Sequence, residues 1–66
     1  MGRRVDAGQL VGATEIGQRL GVRRQLVNEW RRRYPDFPDP VVRLTGVNVW
    51  VWPDVEDWLR RTGRLR

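Results

Sequence analysis

The sequence predicts a mainly α-helical domain that carries one β-hairpin, in the order helix, helix, two-stranded hairpin, helix. Three observations predict it. Residues 14–33, TEIGQRLGVRRQLVNEWRRR, hold two short amphipathic stretches around a glycine. Residues 41–52 hold two runs rich in β-branched and aromatic residues, divided by Thr45, Gly46, Val47 and Asn48. Residues 53–63 then set a proline ahead of acids and an apolar stripe, and close on a glycine.

Element by element, residues 1–9 are polar and aperiodic, which predicts a flexible N-terminal arm. Leu10 and Val11 are expected to make the first contact with the core. Thr14 is expected to cap the first helix by accepting a backbone N–H, with Glu15 favourably placed at the positive end of the helix dipole. Ile16 and Leu20 stand four apart and share a helix face. Gly17 lets the second helix approach closely, and Gly21 suits the positive φ of a sharp helix exit. The second helix is expected from about Arg23 to Arg33, with Val27 and Trp30 on its inner face. Tyr34 ends it, because the residue before a proline is pushed out of the α region.

The loop YPDFPDP carries Pro35, Pro38 and Pro40, so it is expected to be extended and stiff, with Phe37 plugging the core. In the hairpin, alternation places Trp50 and Trp52 on one face and Val49 and Val51 on the other. The tryptophan face is expected to pack on the helices, because a two-stranded hairpin is marginal alone. Pro53 opens the third helix, and Asp54, Glu56 and Asp57 are expected to load its first turn with acids, matching the helix dipole. Val55, Trp58 and Leu59 form its apolar stripe, and Gly63 terminates it. The expected organisation is an arm over 1–9, a domain over 10–63 and a basic tail over 64–66.

Composition narrows the function. A chain of 66 residues has a thin core, so its four tryptophans, Trp30 included, must supply much of the buried area. Cysteine and histidine are absent, which removes disulfides and the usual zinc ligands. Serine and lysine are absent too, and no carboxylate pair sits in an apolar run. These absences argue against an enzyme, and neither metal nor cofactor is expected. No apolar run approaches a membrane span or a signal peptide, so a cytoplasmic protein of a bacterial host cell is expected.

The net charge of +5 comes from thirteen arginines and eight acids, unevenly spread. Residues 1–33 carry eight arginines against three acids, residues 34–59 carry Arg43 against five acids, and residues 60–66 carry four arginines. Codon bias accounts for arginine in place of lysine but not for this clustering. Two helices around a tight turn, the second loaded with arginine, are the layout of a DNA-binding helix-turn-helix. The competing reading is an ordinary helical hairpin with a charged face. With the β-hairpin as a wing, the expected fold is a winged helix-turn-helix.

Three pieces, EIGQRLGVRRQLVNEW, the FPDPV turn and an aromatic-ending strand leading into DVEDWL, cover residues 10–62. In them the chain resembles the small phage-type excisionases, or recombination directionality factors, and the related MerR-type DNA-binding domains. The resemblance implies that outward positions of the second helix enter the major groove of double-stranded DNA: Arg23, Arg24, Gln25, Asn28, Glu29 and Arg32. Arginine suits guanine bidentately, and Asn and Gln suit adenine. Arg31 and Arg33 are expected on phosphates, which fix register without reading sequence. Two departures stand out. Arg23 occupies the position where the family often has a Ser or Thr cap, and the wing tip is uncharged, so Arg43 must anchor any wing contact.

An excisionase-like protein performs no chemistry. It binds and bends attachment-site DNA and directs an integrase toward excision, so an integrase is the implied partner. A small MerR-like transcriptional regulator is the alternative, and a module binding an acidic protein is a third class. MerR-type regulators usually add a coiled coil or sensor domain, and neither is expected within these 66 residues. Outward-facing Val49 and Val51, beside Val41, are also expected to let copies associate cooperatively on DNA.

Overall fold

A computed structural model describes residues 6–65. Within them are three α-helices, α1 (Ala13–Leu20), α2 (Arg24–Arg33) and α3 (Trp52–Arg61), and three strands, β1 (Leu10–Val11), β2 (Val42–Leu44) and β3 (Val47–Val51). The strands form one antiparallel sheet in the order β1-β3-β2. The architecture is therefore a small α+β fold with a three-stranded sheet, where the sequence predicted two strands.

The extra strand arises at the end of the expected arm. Residues 1–5 of that arm lie outside the described residues. Asp6 accepts the Gly8 N–H at 2.9 Å and caps a 3-10 turn over Ala7–Gln9. Leu10 and Val11 then pair with Val51 and Trp50. Val11 is 1% exposed, so this short strand is held by its side chain as well as its ladder.

The cap of α1 is Gly12, two residues ahead of the expected Thr14. Glu15 supplies the capping interaction by accepting the Gly12 N–H at 2.8 Å, which leaves Thr14 exposed inside the first turn. Gly17 is buried where the interhelical turn crosses it. A Cβ there would lie 2.6 Å from the Val22 carbonyl oxygen and 3.3 Å from the Arg24 nitrogen, so no larger residue fits without backbone movement. Gly21 ends the helix at φ 71°, as its position predicted. Arg23 stands at the N-cap of α2 in extended conformation without a side-chain cap. Tyr34, at φ −110° and ψ 109°, ends α2 ahead of Pro35.

The hairpin is tighter than expected. Leu44 pairs directly with Val47, so only Thr45 and Gly46 form the turn, and Val47 and Asn48 belong to β3. Trp52 leaves the strand and starts α3. Its ladder position would face Gln9, which is already in the 3-10 turn, and Pro53 has no N–H to extend the pairing. Val51, expected outward, is 3% exposed although it stands apart from the main core, while Val49 is half-buried. The outward patch of Val49, Val51 and Val41 does not exist as drawn from alternation. α3 carries Asp54 in its first turn, but Glu56 and Asp57 fall in the second and pair with Arg60 and Arg61.

The core joins both layers through Val11, Ile16, Val27, Phe37, Trp50, Val55, Trp58 and Leu59. Phe37 lies edge-on to Trp58 at 4.9 Å and to Trp50 at 5.7 Å, so the proline-rich loop does deliver its aromatic ring into the centre. Trp50 donates from Nε1 to the Pro38 carbonyl at 2.9 Å. Trp30, expected on the inner face of α2, is only half-buried and flanks Trp58 at 5.6 Å, while Trp58 is fully buried. Residues 64 and 65 are no tail. Arg64 stacks over Trp58 at 4.6 Å and Tyr34 at 4.7 Å, and Leu65 packs on the core.

Candidate functional site

Ten described arginines are spread over this fold, and their surroundings divide them. Arg19 lies 4.9 Å over the Trp52 ring, Arg60 and Arg61 pair with Glu56 and Asp57, and Arg64 stacks on aromatic rings. These four are engaged within the chain. Arg23, Arg24, Arg31, Arg32 and Arg33 of α2 and its cap, together with Arg43 of β2, are exposed. None of the six makes an ion pair, side-chain hydrogen bond or ring contact among the described residues.

The exposed face of α2 forms one wall of an open groove of about 880 Å³. Arg24, Gln25, Asn28, Arg31 and Arg32 line this wall, because positions 24, 28 and 31 and positions 25, 28 and 32 recur at helical spacing. Leu44, Gly46, Val47 and Asn48 line the opposite wall, on the hairpin. Gly12 to Glu15, at the start of α1, complete the lining together with Trp50. The groove is thus built by three elements whose relative positions depend on Gly17 and on the hairpin register.

A smaller recess of about 200 Å³ adjoins it beneath the proline-rich loop. Arg31, Arg43 and Asn48 line it together with Asp39. Arg31 and Asn48 border both spaces, so an anion between α2 and the hairpin would meet two guanidinium groups and an amide. Asp39 lowers the local positive charge without forming an ion pair with either arginine among the described residues.

Not every predicted residue lies in the groove. Arg24, Gln25, Asn28, Arg31 and Arg32 do, and Arg43 lies at its adjoining recess. Arg23 caps the helix outside the groove lining. Glu29 faces the far flank with Arg32 and Arg33, around a separate shallow surface. Asn48 was missed because sequence reading placed it in the turn. Its signal was its position two residues before Trp50, which fixes both on one pleat face, and its partner across the ladder is Arg43.

No helix among the described residues is long and apolar enough to cross a membrane. Compared with protein-family models, with curated proteins and with solved structures, the chain shows no match in any of the three.

Proposed function

We propose that the protein is a sequence-specific double-stranded DNA-binding accessory protein with a winged helix-turn-helix, in which α2 enters the major groove and the β2–β3 hairpin is the wing. The observation that carries this reading is the division of the arginines. Arg19, Arg60, Arg61 and Arg64 are engaged within the chain by rings or carboxylates, while those on α2 and Arg43 hold their charge toward open solvent. A fold selected for stability alone would not favour Arg23 and Arg24 at the N-terminus of α2. That end already bears positive dipole charge, and no acid stands in its first turn. A duplex lying along the groove would supply the missing negative charge.

On this reading Arg24, Gln25, Asn28 and Arg32 face base edges, and Arg31 and Arg43 bracket one phosphate strand between helix and wing. Together with the excisionase-like sequence pattern, this supports a role in biasing an integrase toward excision by binding and bending attachment-site DNA. The decisive first experiment is a salt titration of binding to a random-sequence duplex, read by fluorescence anisotropy. Phosphate binding predicts a log–log slope of about −0.9 per phosphate contacted. Arg31→Ala and Arg43→Ala should each reduce the slope's magnitude by about 1. Binding that is absent, or independent of salt, overturns the proposal. Footprinting on a paired attachment region with its integrase then tests the excision role, which fails if integrase products are unchanged by the protein.

A further inference from the structure

We propose that Asp39 is an acidic brake on the phosphate contact of Arg31 and Arg43, holding down the affinity for random duplex DNA. The proposal rests on the DNA-binding role given above and names a residue that sets its strength. Asp39 lines the recess of about 200 Å³ together with Arg31, Arg43 and Asn48. Its carboxylate forms no ion pair or hydrogen bond among the described residues, although two guanidinium groups border the same space. A carboxylate that served the fold would lie against one of them, as Glu56 and Asp57 lie against Arg60 and Arg61.

The loop fixes Asp39 where it stands. Pro38 and Pro40 flank it and restrict the backbone on both sides. The Pro38 carbonyl accepts from Trp50 Nε1 at 2.9 Å, and the Val41 N–H donates to the Val49 carbonyl at 2.8 Å. Buried Phe37 anchors the same loop in the core. On so constrained a segment only the short side chain of Asp39 can turn, so its charge stays at the recess. A phosphate drawn in by Arg31 and Arg43 therefore meets a like charge in the same small space, and its contact is weakened. Phosphate contacts hold every sequence alike. The acid thus lowers the sequence-independent part of binding and leaves the base contacts of α2 untouched.

Asp36 supplies the control, because it is an exposed acid on the same loop that lies outside the lining of the recess. On a random duplex at low salt, read by fluorescence anisotropy, Asp39→Asn should tighten binding roughly threefold, the Coulomb effect of one charge at close range in water. The gain should shrink as salt is raised. Asp39→Ala should gain as much, since the cause is lost charge and not a new amide donor. Asp36→Asn makes the same change in net charge and should gain clearly less. In an Arg43→Ala background, where the phosphate has lost one of its two cations, the gain from Asp39→Asn should fall to that of Asp36→Asn. No gain, a gain confined to the asparagine variant, an equal gain from Asp36→Asn, or a full gain that persists without Arg43 would each overturn the brake while leaving DNA binding intact. If neither the wild-type protein nor Asp39→Asn binds the duplex in a salt-dependent way, the DNA-binding role itself falls, and the brake with it.

Discussion

α2 and α3 are each ten residues long and each finishes on arginines, yet the fold treats them differently. α3 buries Val55, Trp58 and Leu59, and its terminal arginines are paired one turn back with Glu56 and Asp57. α2 buries only Val27 fully and rests Trp30 half-exposed against Trp58. Glu29 stands at the spacing that would pair it with Arg32 or Arg33, but it forms no ion pair among the described residues. One helix is tied to the fold through both its apolar stripe and its charges. The other uses a narrow stripe for attachment and leaves its polar face open, which is what a helix needs if it is to enter another molecule.

The largest test of this contrast is truncation of the aromatic anchor on each helix. Trp58→Ala should cost about 3–5 kcal/mol, comparable with the whole stability of so small a domain, and leave little native circular dichroism. Trp30→Ala should remain folded and shift the urea midpoint by a smaller amount, because part of its ring already faces solvent. Equal losses for the two variants would break the distinction between a core helix and an attached one.

The polar faces should separate next. On a site selected from random duplexes, Arg24→Ala and Asn28→Ala should each cost about 1–3 kcal/mol and relax the preferred base at one position. Arg31→Ala should weaken selected and random duplexes alike. Equal losses on both DNAs for all three variants would remove the division between groove readers and phosphate anchors.

A finer contrast lies between the two fully buried tryptophans. Trp50 Nε1 is bonded to Pro38, whereas Trp58 Nε1 is buried with no hydrogen-bond partner among the described residues. Replacing each by phenylalanine removes similar volume, but only Trp50→Phe also breaks a hydrogen bond. It should therefore be the more destabilising by about 1 kcal/mol, measured as the difference between the two denaturation curves. The reverse order would mean that the Trp58 ring, which meets Trp30, Tyr34 and Phe37, owes more to shape than to polarity.

Smallest of all should be the loss of the exposed pairs on α3. Arg60→Ala and Arg61→Ala are each expected to cost about 0.3–0.5 kcal/mol, diminishing in high salt, with DNA affinity unchanged. A drop in affinity for either variant would extend the DNA-facing surface to α3 and weaken the comparison between the helices.

Sequence alone determined the features that depend on neighbours along the chain. Gly21 ends α1 because a left-handed residue is cheapest as glycine, and Tyr34 ends α2 because Pro35 restricts it. The family resemblance set Arg23, Arg24, Gln25, Asn28, Glu29 and Arg32 outward on α2, and the fold gathers Arg24, Gln25, Asn28 and Arg32 of these, with Arg31, along one groove. Tertiary structure decided what depends on residues far apart. Two residues cannot announce themselves as a strand, and Leu10 and Val11 become one only because β3 offers them an edge. Their brevity in turn releases Trp52 into α3, where its ring receives Arg19. Arg64 reads as tail charge until Tyr34 and Trp58, brought together from two helices, present their faces to it. Asn48 joins the candidate site by the same logic, since only the folded hairpin sets it between Arg31 and Arg43. Local stereochemistry is written residue by residue, while a strand pairing or a stacked guanidinium requires a partner that proximity in sequence does not supply.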